Sequence, residues 1–263
     1  MNLLTVAVVL VLSVDATTGV GGIPGAPHDG GWPGPVALAV RLDELHRRRD
    51  DRGAFSEEQR LVQAGLARTP DDYGLLWRAA RFYFWASDDP SLPKEQRSRW
   101  GKDGWDIAER AIVGNPNDVA GYYWAALCMG NYVLGLGVVK ALSLGMEAKF
   151  RDRLGRAAAL NDAYQYGGVE TAWGRFFDKL PWPKRDRKQG EEHLRRALMI
   201  NPAALRARVY LAISYLDSNR AAEAKRLLDE VAAAPVGRYD APEERRAKAL
   251  GAGLMNEVYS KLK

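Results

Sequence analysis

Glu191, Glu192 and His193 stand side by side, and a carboxylate next to an imidazole is the raw material of a proton relay or a metal site. Consecutive helix positions point about 100° apart, so these three side chains diverge instead of meeting at one reacting atom. The other histidines, His28 and His46, are distant in sequence, and no HExxH or similar ligand spacing occurs. Cys128 is the single cysteine. With no histidine near it, it makes neither a zinc site nor an activated nucleophile, and a place in the core is expected. The stretch "TTGVGGIPGAPHDGGWPGP", residues 17–35, has the Gly-x-Gly look of a phosphate loop. No strand precedes it, and its prolines suit a flexible tether better than a phosphate cradle. No catalytic set, metal or cofactor is expected.

The chain has 263 residues, 47% of them apolar and 27% charged. That composition excludes wholesale disorder and a multispanning membrane protein. The formal charge is +5, but Arg47, Arg48 and Arg49 run directly into Asp50 and Asp51. Such mixing marks a solvated helical face, whereas a nucleic-acid track would segregate its cations, so no nucleic-acid partner is expected.

At the N-terminus, Leu3 to Val14 form an almost unbroken apolar run followed by Val14-Asp15-Ala16, which reads as a secretory signal peptide over residues 1–16. The run is too short for an ordinary transmembrane helix. No cysteine lies near residue 20, so the lipid attachment of bacterial lipoproteins is not expected. The expectation is a periplasmic or secreted protein, soluble after cleavage, with residues 17–35 as a linker and 36–263 as the folded domain.

Helical patterning dominates the domain. Near its end Arg208, Leu211, Ala212 and Tyr215, then Ala224 and Leu228, then Pro235, follow the W-x2-L-G-x2-Y, A-x3-F, P spacing of a tetratricopeptide repeat (TPR). Small residues such as Ala212 and Ala224 let two antiparallel helices approach, and the proline ends the second helix. Earlier units close at Pro70, Pro116, Asp162 and Pro202, which are 46, 46 and 40 residues apart. An uninterrupted unit is about 34 residues, so the excess measures insertions. "WASDDPSLPKEQRSRWGKDGW", "VLGLGVVKALSLGMEAK" and "LPWPKRDRK" supply them. The fold expected is all-α: a TPR-like α-α superhelix of about five helix pairs plus a C-terminal capping helix from "APEERRAKALGAGLMNEVYSKL".

Such superhelices present a concave face formed by the first helix of each pair. Trp77, Phe82, Tyr83, Phe84 and Trp85 cluster in one such helix, and Tyr122, Tyr123, Trp124 and Tyr132 in the next. No single face holds five near-consecutive aromatics, so some must line the groove. The repeat register puts Trp77, Arg81 and Phe84 there, then Tyr122, Met129 and Tyr132, then Arg175. Joint replacement of Trp124 and Tyr132 by alanine is expected to weaken binding of a hydrophobic probe. In the insertion after Tyr132, Val138, Val139 and Leu142 are expected to cover a ligand or a neighbouring subunit.

The succession "YYWAALCMGNY", "KALSLGMEAKFRDRLGRAAALND", "YGGVETAWGRFFDKLPW" and "HLRRALMINPAALRARVYLA" resembles the TatT family, the TPR-type component associated with bacterial TRAP transporters, over roughly residues 55–235. The resemblance implies an all-helical periplasmic protein, a homotrimer with a hydrophobic cleft in each protomer. It also implies a partner in the solute-binding component of a TRAP system, with small hydrophobic carboxylates or lipids as ligands. The expected function is non-enzymatic binding of a hydrophobic small ligand, a partner protein, or both. The alternative is a general TPR adaptor in envelope assembly.

Overall fold

The structure is a computed structural model, and it describes residues 32–262. The signal-peptide reading of residues 1–16 and most of the linker reading of 17–35 lie outside the described residues. Helix begins at Pro35.

Twelve helices and no strand are found among the described residues. Five pairs follow the expected order: α1 (Pro35–His46) with α2 (Arg52–Arg68), and α3 (Tyr73–Ser87) with α4 (Lys94–Gly114). Then α5 (Val119–Leu136) pairs with α7 (Met146–Asn161), bridged by the short α6 (Val138–Ser143). Next come α8 (Tyr164–Lys179) with α9 (Arg187–Ile200), α10 (Leu205–Leu216) with α11 (Ala221–Ala233), and the cap α12 (Ala241–Lys261).

Local chemistry sets these boundaries. Asp51, Asp72, Asp118, Asp186 and Asp240 each cap a helix, their carboxylates accepting from backbone N–H groups such as Leu75 N at 2.7 Å. Pro70, Pro116, Pro202 and Pro235 each stand two residues beyond the end of a second helix, where their missing N–H and ring block continuation. Between paired helices lie small residues: Ala79, Ala108, Ala212 and Ala224 are fully buried. Gly174 lies so close to α9 that an added Cβ would come within 2.4 Å of Leu194 Cγ.

Two insertions take a different form from the sequence expectation. The segment after Trp85 is not a loop excursion: α3 continues to Ser87, and the surplus lengthens α4 to 21 residues. The apolar insertion starts later than Val133, because α5 runs on to Leu136, and the following helix starts at Met146 instead of Phe150. What remains between is α6, flanked by Gly137 (φ +86°) and Gly145 (φ +67°), both in backbone conformations that favour glycine. No described helix is long and apolar enough to cross a membrane.

Candidate ligand groove

The first helices of the pairs, α1, α3, α5, α8 and α10, line a concave cavity of about 1790 Å³, and α12 folds back to supply a further wall. Of the second helices, α2 and α11 contribute no lining residue. That asymmetry follows from the repeat itself, whose first helices stack on the inside of the curve. The cavity exceeds the ~300–1,000 Å³ of most small-molecule pockets, so it has room for an elongated occupant.

Trp77, Arg81, Phe84, Trp124 and Arg175, five of the expected groove residues, line the cavity together. Trp77 carries the Arg81 guanidinium 5.1 Å above its ring, and Arg81 donates to Asp43 Oδ1 at 2.8 Å. Phe84 and Trp124 meet across α3 and α5 with ring centroids 5.6 Å apart.

Tyr122, Met129 and Tyr132 do not line the groove, which corrects the register expected for α5. Tyr122 is buried with the Arg156 guanidinium 6.0 Å from its ring, on the α7 side. Met129 is fully buried with Ala141 and Met146. Tyr132 packs on Trp105 of α4 at 6.0 Å. The lining residues of α5 include Tyr123, Trp124, Leu127 and Asn131 instead. The cause is a glycine seam on α4: an added Cβ on Gly101 would come within 2.6 Å of Tyr132 N, and one on Gly104 within 2.7 Å of Cys128 Sγ. This close approach turns the Cys128 and Tyr132 side of α5 toward α4 and rolls the Trp124 side into the groove. Leu142 lines the cavity from α6, while the side chains of Val138 and Val139 lie outside the described residues.

Several contributors were not foreseen. The start of α8 turns through three successive left-handed residues, Gln165 (φ 51°), Tyr166 (φ 59°) and Gly167 (φ 83°), which breaks the helix at the groove wall. Left-handed backbone costs a non-glycine residue about 1–2 kcal/mol. The turn places Tyr166 against Tyr239, centroids 5.2 Å apart. Gly168 next to it leaves room for the Tyr123 hydroxyl, which an added Cβ would meet at 2.3 Å. The sequence signal was the Tyr-Gly-Gly run itself.

The lining charges largely neutralise one another. Arg49 donates to Asp240 Oδ2 at 2.7 Å, and Arg206 binds Asp88 at 2.9 Å and Glu243 as well. The guanidinium groups of Arg49, at 4.3 Å, and Arg246, at 3.2 Å, both lie over the Trp85 ring. Arg246 also donates to Trp85 O at 3.0 Å. These bonds join α12 to the first two repeats over more than 150 residues of sequence.

The residues that suggested chemistry serve the scaffold. Glu191 accepts from Arg195 and Arg220, both at 2.7 Å. His193 Nδ1 lies 2.8 Å from Glu170, with Trp173 and Phe177 stacked on its ring. Glu192 has no part in that arrangement. Among the described residues no group of three or more His, Cys, Asp or Glu is placed to hold a metal ion.

The sequence matches two family models: "Regulator of microtubule dynamics protein 1-3" over residues 39–168, and "Tetratricopeptide repeat" over residues 184–250. No curated protein matches the chain. Among solved structures the fold is similar to TTC0263, a thermophilic TPR protein of Thermus thermophilus. The TM-score is 0.60 at 17% identity, over 84% of this chain and 97% of that one. A second similar structure, MamA, has a TM-score of 0.44 at 16% identity, over 77% of this chain and 95% of the other. Paired helices, capped and closed in TPR fashion around a concave groove, agree with the tetratricopeptide-repeat match over residues 184–250 and with the likeness to the Thermus fold, and the chain has a TPR-like all-α superhelical fold.

Proposed function

We propose that the chain is a non-enzymatic binding scaffold whose groove takes a hydrophobic small ligand or an apolar segment of a partner protein. The observation that carries this reading is the aromatic lining of the 1790 Å³ cavity, in which Trp77, Phe84 and Trp124 come together from two repeats. Aromatic side chains give large contact area at little entropic cost, and a pre-formed concave site spares the occupant much of the ordering penalty. The matched regulator family is named for regulation and not for catalysis, in keeping with a scaffold. The apolar run Leu3 to Val14 supports export, and the likeness of residues 55–235 to TatT sequences supports a TRAP solute-binding component as partner and a trimeric assembly.

A second reading, a general TPR adaptor in envelope assembly, uses the same groove for a peptide. Native mass spectrometry of protein purified from its own host separates the two. A copurifying apolar molecule of discrete mass is expected. A ligand-free protein that captures a polypeptide instead favours the adaptor. Trp77→Ala with Phe84→Ala is expected to weaken binding of a neutral hydrophobic probe at least tenfold while the helical circular-dichroism signal survives.

A further inference from the structure

Beyond Leu180, the turn between α8 and α9 takes no part in the groove, and it carries the one tryptophan of eight that is exposed. Trp182 is 88% exposed, whereas each of the others is buried or half-buried. Tryptophan has one of the largest apolar surfaces of any side chain, so leaving it in water gives up much burial. The turn holds it there. Lys184 N and Arg185 N both donate to Pro181 O, at 2.9 and 3.1 Å. Arg185 Nε donates to Leu180 O at 2.9 Å, and Leu180 itself is buried. Pro181 and Pro183 fix φ on either side of Trp182, which stiffens the tip. Positive charge surrounds it: the segment has four cations, Lys184, Arg185, Arg187 and Lys188, against one carboxylate, Asp186. Asp186 faces back into α9, where it accepts from Gln189 N at 3.0 Å and Gln189 Nε2 at 2.8 Å. Lys184 crosses to Glu147 at the start of α7, which sets the turn beside the end of α6. Arg187 and Lys188 are left facing solvent. Leu142 and Gly145 share a shallow depression with Lys184. Next to them Leu144, 50% exposed, and the exposed Lys140 repeat the combination of an apolar tip and a cation.

A tryptophan ring, apolar but with one polar N–H, is favoured where hydrocarbon meets water, and lysines there extend their ammonium groups outward along apolar stems. Clustered cations add attraction to anionic head groups. We infer that the edge formed by the α8–α9 turn and the end of α6 docks on an anionic lipid bilayer. Trp182 and Leu144 enter to head-group depth, and Lys140, Arg187 and Lys188 meet the lipid phosphates. The docking is peripheral, and it is independent of whatever occupies the groove. A protein partner fits this edge less well. Lysine is depleted from protein interfaces, and a tryptophan that anchors one sits at the centre of a packed patch, not on the tip of a proline-flanked turn.

Flotation of the full chain with unilamellar vesicles tests this. Vesicles of equal parts phosphatidylglycerol and phosphatidylcholine are expected to carry the protein up the gradient, and pure phosphatidylcholine vesicles to bind it about tenfold more weakly. Added salt should weaken the hold of the anionic vesicles, because screening shortens the reach of the cations. Trp182→Ser should lose about tenfold or more, and Arg187→Gln combined with Lys188→Gln about tenfold. All three side chains are exposed, so each variant should keep the helical circular-dichroism signal of the wild type. Should Trp182→Ser lose that signal, the Arg187 and Lys188 variant carries the comparison. Wild-type binding by Trp182→Ser, or equal binding to the two kinds of vesicle, overturns the proposal. So does a wild type that floats with neither, and capture of a soluble protein through Trp182 would then assign the turn to a protein partner.

Discussion

Glu58 and His46 show what burial does to titratable groups in this scaffold. Glu58 is fully buried on α2, its Oε1 3.0 Å from His46 Nδ1, with Arg49, Arg81 and Asp43 as the nearest charges. Burial pushes the Glu58 carboxyl from its ordinary 4.5 up to about 8. Burial, then Arg81 and Arg49, holds the His46 imidazole well below its ordinary 6.5. The pair therefore keeps one shared proton at neutral pH, whereas the unfolded chain releases it lower down. The native state binds more protons than the unfolded one between pH 6.5 and about 8, so stability falls as pH rises through that window. The effect is at most about 2 kcal/mol, and urea titrations at successive pH values should find the slope in the wild type and a flat line in Glu58→Gln. Cys128 illustrates the same physics. Burial pushes its thiol up, and its Sγ faces the Ala80 carbonyl oxygen at 3.4 Å. Thiol reagents should label it only after denaturation, and labelling of the native protein at the rate of free cysteine would contradict the buried placement.

The sequence displayed the pairs of helices because Asp caps, closing prolines and buried alanines are local marks. It did not display the rotation of each helix about its axis. Repeat register points Met129 and Tyr132 to the groove, yet the glycine seam of α4 draws them toward α4 and the core. Gly101→Ala tests that seam. The added methyl would meet backbone, Tyr132 N at 2.6 Å and Cys128 O at 3.0 Å, which cannot move aside as a side-chain tip can. Overpacking of this kind costs about 1–3 kcal/mol, offset by about 1 kcal/mol of helix propensity. A net loss of up to about 2 kcal/mol is expected in denaturant melts. Gly145→Ala makes the converse case. Nothing lies within 4 Å of an added Cβ there, but φ is +67°, so the expected cost of about 1 kcal/mol is purely conformational. Full stability in that variant would show that α6 does not depend on the left-handed turn.

Across the whole molecule the ends of the superhelix are tied by long side chains. Arg49 reaches Asp240 at 2.7 Å, Arg245 reaches Asp50 at 2.5 Å, and Arg206 links Asp88 to Glu243. Arg206 is the hub, since its removal leaves Glu243 without a guanidinium and Asp88 with only the longer contact to Arg246 at 3.5 Å. Arg206→Met is expected to cost about 3 kcal/mol. It should also speed amide exchange at the N-terminus of α12 without unfolding α3 to α5, as hydrogen-exchange mass spectrometry would read. Global loss of protection instead would mean that the cap is part of one cooperative unit with the repeats. The exposed pair Arg245–Asp50 contributes far less, because solvent screens it.

The sequence alone determined the all-helical class, the five pairs and cap, and most of the helix ends, because capping, proline exclusion and small-residue packing act within a few residues. It also brought forward Trp77, Arg81, Phe84, Trp124 and Arg175 as neighbours of one groove, since repeat spacing encodes which helices lie inside the curve. Only the tertiary structure decided that Tyr123 and Asn131 replace Tyr122, Met129 and Tyr132 on the wall. The same holds for the arrival of α12 as a further wall, and for the ion pairs that tie it to the first repeats. Those outcomes depend on axial rotations and on ion pairs spanning up to 195 residues, which no local pattern records. They are set by how closely two helices approach at a glycine and by how far an arginine can reach.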